Sequence, residues 1–335
     1  MEPPPEPALT AIQAVGFLLA GAAVIGNDAL QTLGTFLAAN RGRTPRPLQA
    51  LFLCALLCGV LWLGWSRGGG DPAWGRLETF PPPERFGWVD LLPPLAVLAL
   101  TRLGAPVSTT VLVLTAFRPA NLPGLLVQSW LAYGAALLSG LVVYGLAGWL
   151  LGRPGGGQGQ NGGEDGAVGT RPWLWLALQW LAAGWLWSQW LIQDLANVYV
   201  YLPRQLAAPP MALSLAALCG AVCVLLATGG GPIQERLTSK SHVADPRSAT
   251  LITALYGLIL AGCAAVSHRP QSTTWVFLGL LAGRELALQL RWRERPAAAV
   301  AGLLAGDIAR AALGLAVSVA VALLVPALRQ RWGLA

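Results

Sequence analysis

Two stretches place acids and amides inside otherwise apolar sequence. "GNDALQ" supplies Asn27, Asp28 and Gln31, and "QDLAN" supplies Gln193, Asp194 and Asn197; each set reads amide, acid, two residues, amide. A carboxylate flanked by amide oxygens is a hard-oxygen set, suited to a cation such as Na⁺. Two further stretches, "PVSTT" and "PQSTT", supply Ser108, Thr109 and Thr110, and Ser272, Thr273 and Thr274. A proline followed by hydroxyl residues within an apolar run reads as a helix N-terminus, whose free N–H groups and positive dipole end favour an anion. From acid to serine is 80 residues in the first half (Asp28 to Ser108) and 78 in the second (Asp194 to Ser272). Two motifs in one order at nearly one spacing point to an internal duplication.

The elements that must carry these residues are membrane-length. The chain has 335 residues, 55% of them hydrophobic and only 11% charged, with mean hydropathy +0.57. Apolar runs lie at about 8–39, 48–65, 88–117, 123–152, 173–206, 210–228, 248–290 and 297–328. Most are long enough for a hydrocarbon core of about 30 Å. This composition predicts an all-α polytopic membrane protein, with the lipid bilayer as its main partner. The Gly-rich stretch 153–171, "RPGGGQGQNGGEDGAVGTR", reads as a linker between a first repeat, 1–152, and a second, 172–335.

An ionised carboxylate at membrane depth costs roughly 3 kcal/mol on insertion scales and is seldom kept without a partner or a wet cavity. Gly26 and Gly34 flank Asp28, and Pro203 follows Asp194, so both helices are expected to break or unwind near their polar cluster. The plainer reading of either cluster alone is hydrogen bonding between buried helices.

Charge orients the chain. Arg41, Arg43 and Arg46 follow the first run, whereas the preceding tail holds Glu2 and Glu6, so that turn is predicted inside and the tail outside. If 88–117 enters and returns as a re-entrant hairpin, the linker is cytoplasmic and each half makes three crossings plus one hairpin. The second copy, with a matching hairpin at 248–290, is then inverted. The loops with Arg236, Lys240 and Arg247, and with Arg291, Arg293 and Arg295, fall inside; the C-terminus, with Arg329 and Arg331, falls outside. The N-terminus lacks the positive region of a signal peptide, so the first run is expected to stay in the mature chain.

The net charge of +7 comes from arginines in short loops, with no basic stripe suited to nucleic acid. Cys54, Cys58, Cys219, Cys223 and Cys263 all lie in apolar runs and read as small buried hydrophobes. No nucleophile and base pair, metal cluster or P-loop lysine suggests an enzyme, and no cofactor is expected beyond a bound cation such as Na⁺ or H⁺. The many tryptophans read as interfacial belts and packing.

"IGNDALQTLGT" with "GAPVSTT", then "IQDLANVYVYLP" with "RPQSTT", resembles the inorganic phosphate transporter (PiT) family, whose duplicated signature is GANDxAN followed in each half by PxSTTH. The resemblance covers nearly the whole chain, including the closing run "GDIARAALGLAVSVAVALLVPAL". It implies inverted repeats with broken helices and two re-entrant hairpins, and symport of inorganic phosphate with Na⁺ or H⁺ across a plasma (inner) membrane. Carried over by position, Asp28, Gln31, Asp194 and Asn197 would hold the cation, with Asp28 and Asp194 as Na⁺ ligands. Asn27, Gln193, Ser108, Thr109, Thr110, Ser272, Thr273 and Thr274 would hold the substrate.

The sequence departs from that signature. Ile25-Gly26 and Leu191-Ile192 replace its Gly-Ala, Gln31 and Gln193 replace asparagines, and Val111 and Trp275 stand where both histidines would be. The Trp would narrow the cavity. Sulfate, of the same shape, is the alternative substrate; a transport-inactive scaffold or sensor of the same fold is the alternative function. Asp307 and Glu285 are candidate proton-handling groups, with an interfacial pair to Arg284 the plainer role for Glu285. His268 could replace a lost histidine, and Arg102 is the one basic residue near the first hydroxyl set. A homodimer is compatible with the class, though no motif specifies one.

Overall fold

The computed structural model describes residues 9–83, 85–105, 107–150, 172–229, 246–267, 270–292 and 296–334. The Gly-rich linker, the N-terminal acids, Pro106, Arg236, Lys240, His268, Arg293, Arg295 and the side chain of Asp307 lie outside what is described.

Among the described residues the chain is helical and contains no strand. α1 (Ala11–Val24) starts at a capping box: the Gln13 amide N–H donates to Thr10 Oγ1 at 3.3 Å, and Thr10 N–H donates to Gln13 Oε1 at 2.9 Å. It runs through a π-helical turn, Ile25–Ala29, into α2 (Leu30–Asn40). The break expected at Gly26 is therefore a widened turn in one continuous helix. An added residue within a turn rotates the following side chains while most of the backbone stays hydrogen-bonded, which suits a segment flanked by apolar partners.

α3 (Arg46–Arg67) returns, and a loop leads to α4 (Leu92–Arg102), a second π-helical turn (Thr110–Leu114), α5 (Thr115–Phe117) and α6 (Leu122–Leu150). The second half holds α7 (Pro172–Asp194), α8 (Ala196–Tyr199), α9 (Ala208–Thr228), α10 (Pro246–Val266), α11 (Thr273–Trp292) and α12 (Ala297–Arg331). Here the helix is interrupted, at Leu195 directly after the acid.

Among the described residues, six helical stretches are long and apolar enough to cross a membrane: Ala11–Ala29, Arg46–Arg67, Pro119–Leu146, Ala208–Thr228, Ala249–Val266 and Leu304–Arg331. Their outer faces keep large aliphatic side chains exposed, such as Leu131, Leu213 and Leu323. A surface of that kind is stable against lipid and costly against water. The protein is of the all-α, multi-pass membrane class.

Side-chain contacts define the two ends of the bundle. At one end Arg46 donates to the Ala227 carbonyl at 3.3 Å, and Trp180 donates to Asn40 Oδ1 at 2.9 Å. At the other end Trp65 donates to the Leu206 carbonyl at 2.7 Å, and Tyr201 donates to the Asp90 carbonyl at 2.7 Å. α3 and α9 are thus antiparallel neighbours. The segment 88–117 begins and ends at the second end: Phe86 and Phe117 lie 6.1 Å apart, and both rings pack on Tyr201. α4 is only 11 residues long, about 16 Å, roughly half the length needed to cross a hydrocarbon core of about 30 Å. Its counterpart differs in size. α10 and α11 have 21 and 20 residues, each about 30 Å, and Ser267 after α10 accepts from Gln128 at 3.4 Å near the opposite end.

The last helix of each half packs on elements of the other half. α6 lies along α11, and α12 lies along the Thr110–Leu114 turn and α5; α1 packs on α4 as α7 packs on α10. The α6–α11 contact is close enough for backbones to touch, because a Cβ on Gly140 would stand 2.7 Å from the Leu280 carbonyl oxygen and one on Gly283 would strike that of Leu137. Gly283→Val should therefore lower the melting temperature sharply, by the equivalent of about 3 kcal/mol or more. Gly134→Ala, which meets nothing within 4 Å, should not. Thermal unfolding in detergent compares the two, and equal melting temperatures would contradict the packing.

Candidate functional site

All twelve residues read as site residues are buried, and eight of them form one connected cluster at the centre of the bundle. Asp28 sits in the π-helical turn, where it is 1% exposed; Asp194, the last residue of α7, is fully buried. The widened turn and the interruption at Leu195 put both carboxylates against the hydroxyl sets that open the Thr110–Leu114 turn and α11.

Each acid is met by one threonine from its own half and one from the other. Thr109 donates to Asp28 Oδ2, and Thr273 donates to Asp194 Oδ2 at 2.6 Å. Across the halves, Thr110 lies 3.2 Å from Asp194 Oδ1 and Thr274 lies 3.5 Å from Asp28 Oδ1. The same two hydroxyls also reach the backbone carbonyl just before the opposite serine: Thr110 the Gln271 carbonyl at 3.2 Å, Thr274 the Val107 carbonyl at 2.9 Å. A hydroxyl has one proton, so each can donate to only one of these two acceptors at a time.

The amides complete the cluster. Asn27 Nδ2 donates to Asp28 Oδ1 and to the Val107 carbonyl, both at 2.7 Å. Asn197 Nδ2 lies 2.9 Å from Thr109 Oγ1, 3.1 Å from Thr110 Oγ1 and 3.4 Å from Asp194 Oδ1. Gln31 and Gln193 turn aside, donating to the Asn27 and Leu260 carbonyls at 3.3 and 3.2 Å. Ser108 Oγ accepts from the Val111 N–H at 3.2 Å, as a helix cap does. Four amide oxygens, on Asn27, Gln31, Gln193 and Asn197, are buried without a hydrogen-bond partner, as is Ser272 Oγ. Buried oxygens without a partner are uncommon in folded proteins, and a bound ion or water is one way to satisfy them.

Other expectations fall elsewhere. Trp275 packs on Trp130 and Tyr133, with ring centroids 5.0 and 6.0 Å away, and belongs to the α6–α11 interface; it does not narrow the cluster. Arg102 is exposed at the end of α4. Arg284 pairs with Glu285 at 2.5 Å; the Arg284 side chain is buried, at 1% exposed, and that of Glu285 is partly exposed.

Sequence reasoning missed four contributors. Val107 and Gln271 act through backbone carbonyls, which side-chain type does not reveal. Tyr256, on α10, donates to the Thr273 carbonyl at 2.8 Å and fixes the start of α11. Arg76, buried in the loop after α3, lies within electrostatic reach of Asp194; burial pulls its guanidinium below the usual range, and that carboxylate pushes it back up. The loop's balanced charge concealed which of its arginines folds inward.

If the cross-half bonds are equivalent, Thr110→Val and Thr274→Val should each destabilise the protein by a similar amount, about 1–3 kcal/mol for a buried acceptor left short of a donor. Combining them should cost less than the sum, since they share one network. Thermal unfolding of the two single variants and the double variant reads this directly; one neutral and one costly substitution would refute the equivalence.

Comparison with known proteins leaves this geometry to stand alone: no family profile, curated protein or solved structure matches the chain.

Proposed function

We propose that the chain is a cation-coupled symporter of inorganic phosphate, driven by Na⁺ or H⁺, with an alternating-access fold of two inverted repeats. The observation that carries this reading is the reciprocal pairing of Thr110 with Asp194 and of Thr274 with Asp28. It is the arrangement expected when two copies of one motif meet about a twofold axis in the membrane plane. The antiparallel α3 and α9, the exchange of α6 and α12 between halves, and the return of the segment 88–117 to its starting end support the same reading. They agree with the resemblance to the phosphate transporter family.

Electrostatics supplies the coupling. Two carboxylates in one buried centre repel each other and would repel any oxyanion, because like charges interact strongly where water is excluded. A cation or proton on each acid removes that repulsion. It also takes over the carboxylate oxygens that Thr109, Thr110, Thr273 and Thr274 now address, freeing four hydroxyls to donate to a tetrahedral oxyanion. The unpaired amide oxygens of Asn27, Gln31, Gln193 and Asn197 supply further ligands of the type Na⁺ prefers. Anion and cation therefore bind together or poorly. Arg76 adds a positive charge on the side of the end holding the loop after α3.

Purified protein in liposomes should take up radiolabelled phosphate under an inward Na⁺ or H⁺ gradient. Asp28→Asn and Asp194→Asn should each abolish that gradient dependence, and Arg76→Met should raise the KM for phosphate several-fold with less effect on the maximal rate. Competition by unlabelled sulfate decides between the two oxyanions. Folded protein that is silent under both gradients, for phosphate and sulfate alike, would overturn the reading in favour of a transport-inactive membrane scaffold.

A further inference from the structure

Four of the five cysteines meet at one helix interface, which their separate places in the sequence conceal. Cys54 and Cys58 lie one turn apart on α3, Cys219 and Cys223 one turn apart on α9, and the two helices run antiparallel. Cys58 Sγ and Cys219 Sγ are 3.7 Å apart, Cys54 Sγ lies 3.8 Å from the Cys219 carbonyl oxygen, and Cys54 also neighbours Cys223. All are free thiols; Cys58 and Cys219 are half-buried, and Cys223 is exposed on the apolar outer surface of α9. Cys263, on α10, is not among the cysteines in contact here.

A metal is not the natural occupant, since no group of three or more ligating side chains among the described residues has a metal-holding arrangement. The contact is instead that of a dithiol. A disulfide needs its sulfurs at about 2.05 Å with Cβ atoms about 3.5–4.5 Å apart, so from 3.7 Å the Cys58 and Cys219 sulfurs close by side-chain rotation together with a small approach of α3 and α9. Position adds meaning. α3 and α9 hold corresponding places in the two halves, and their polar contacts lie at the ends, near Arg46 and Trp65. The thiols occupy the middle of the interface.

We propose that Cys58 and Cys219 form a redox site that closes to a disulfide in the presence of a hydroperoxide dissolved in the bilayer, pinning α3 to α9. The chemistry balances in two steps. One thiol attacks the peroxide O–O bond, giving a sulfenic acid and releasing the alcohol; the second thiol displaces hydroxide from that sulfur, forming the S–S bond and, with its proton, water. Two electrons pass from the pair of sulfurs to the peroxide. The site faces lipid, so the fitting oxidant is the hydroperoxide of an unsaturated acyl chain. The cross-link itself does not depend on the transport reading; its effect on uptake does.

The test uses the full chain in nanodiscs or liposomes doped with linoleoyl hydroperoxide, followed by thiol alkylation and non-reducing peptide mass spectrometry. The expected product is a Cys58–Cys219 cross-linked peptide, reversed by dithiothreitol and absent from Cys58→Ser and Cys219→Ser, with Cys263 still alkylated. Wild-type protein reduced after oxidation is the folding control, so no variant needs to fold for the result to count. Cysteines that stay fully alkylatable, or that oxidise singly without a cross-link, would overturn the proposal. Uptake that falls at least tenfold on oxidation and returns on reduction, with Cys58→Ser unaffected, supports control of transport by the cross-link. Uptake unchanged in cross-linked protein overturns that control, whereas absent uptake in reduced protein speaks only against the transport reading.

Discussion

Two carboxylates confined to one buried centre set the terms for the rest of this structure. Asp28 and Asp194 come from different halves of the chain, and each would be costly at membrane depth on its own. Placing them together adds mutual repulsion. What offsets this is a set of hydroxyl and amide donors arranged so that neither acid relies on its own half alone. Each half is left incomplete without the other. The helices that deliver the threonines must therefore cross from one half to the other, and the observed exchange of α6 and α12 is the packing that holds them there.

The backbone adapts to the same demand in two different ways. In the first half a π-helical turn carries Asn27 and Asp28 without ending the helix; in the second the helix stops at Asp194 and resumes at Ala196. Both devices free local backbone geometry at the polar cluster while the flanking turns remain regular. Close glycine contacts between α6 and α11 then fix the depth at which the second hydroxyl set lies. At one end of the bundle, Arg329 pairs with Asp90 at 3.0 Å, and Tyr201, Phe86 and Phe117 cover the way to the centre. The donors are thus buried, and each unpaired oxygen among them carries a desolvation cost.

Much of this was legible from sequence because it rests on composition and spacing. Most apolar runs match one helix or a group of helices within a few residues, the run at 173–206 extending past the end of α8 at Tyr199, and the amide, acid, amide pattern with its hydroxyl sets contains the residues of the buried cluster. What was hidden depends on three dimensions. No local signal separates a π-helical turn from a break around Gly26, since both relieve the same constraint. The lengths of α10 and α11 follow from where they pack, and a single apolar run at 248–290 does not show that it contains two long helices. Arg76 and the cysteine interface were missed for a related reason: each becomes chemically notable only through neighbours more than 100 residues away in the chain. Trp275 was misplaced because its position after the hydroxyl set suggested the site, whereas helix periodicity turns the next residue toward α6.

The claim at the centre of this account is that the threonine hydroxyls exchange the two carboxylates for an oxyanion once cations occupy the acids. Paired high-resolution cryo-EM maps, one in Na⁺ with phosphate and one in choline chloride at the same pH, test it most directly. The account predicts tetrahedral density among Thr109, Thr110, Thr273 and Thr274, with spherical density beside Asp28 and Asp194, present only in the first map. Identical maps, with every hydroxyl still directed at its carboxylate and nothing bound between them, would contradict it.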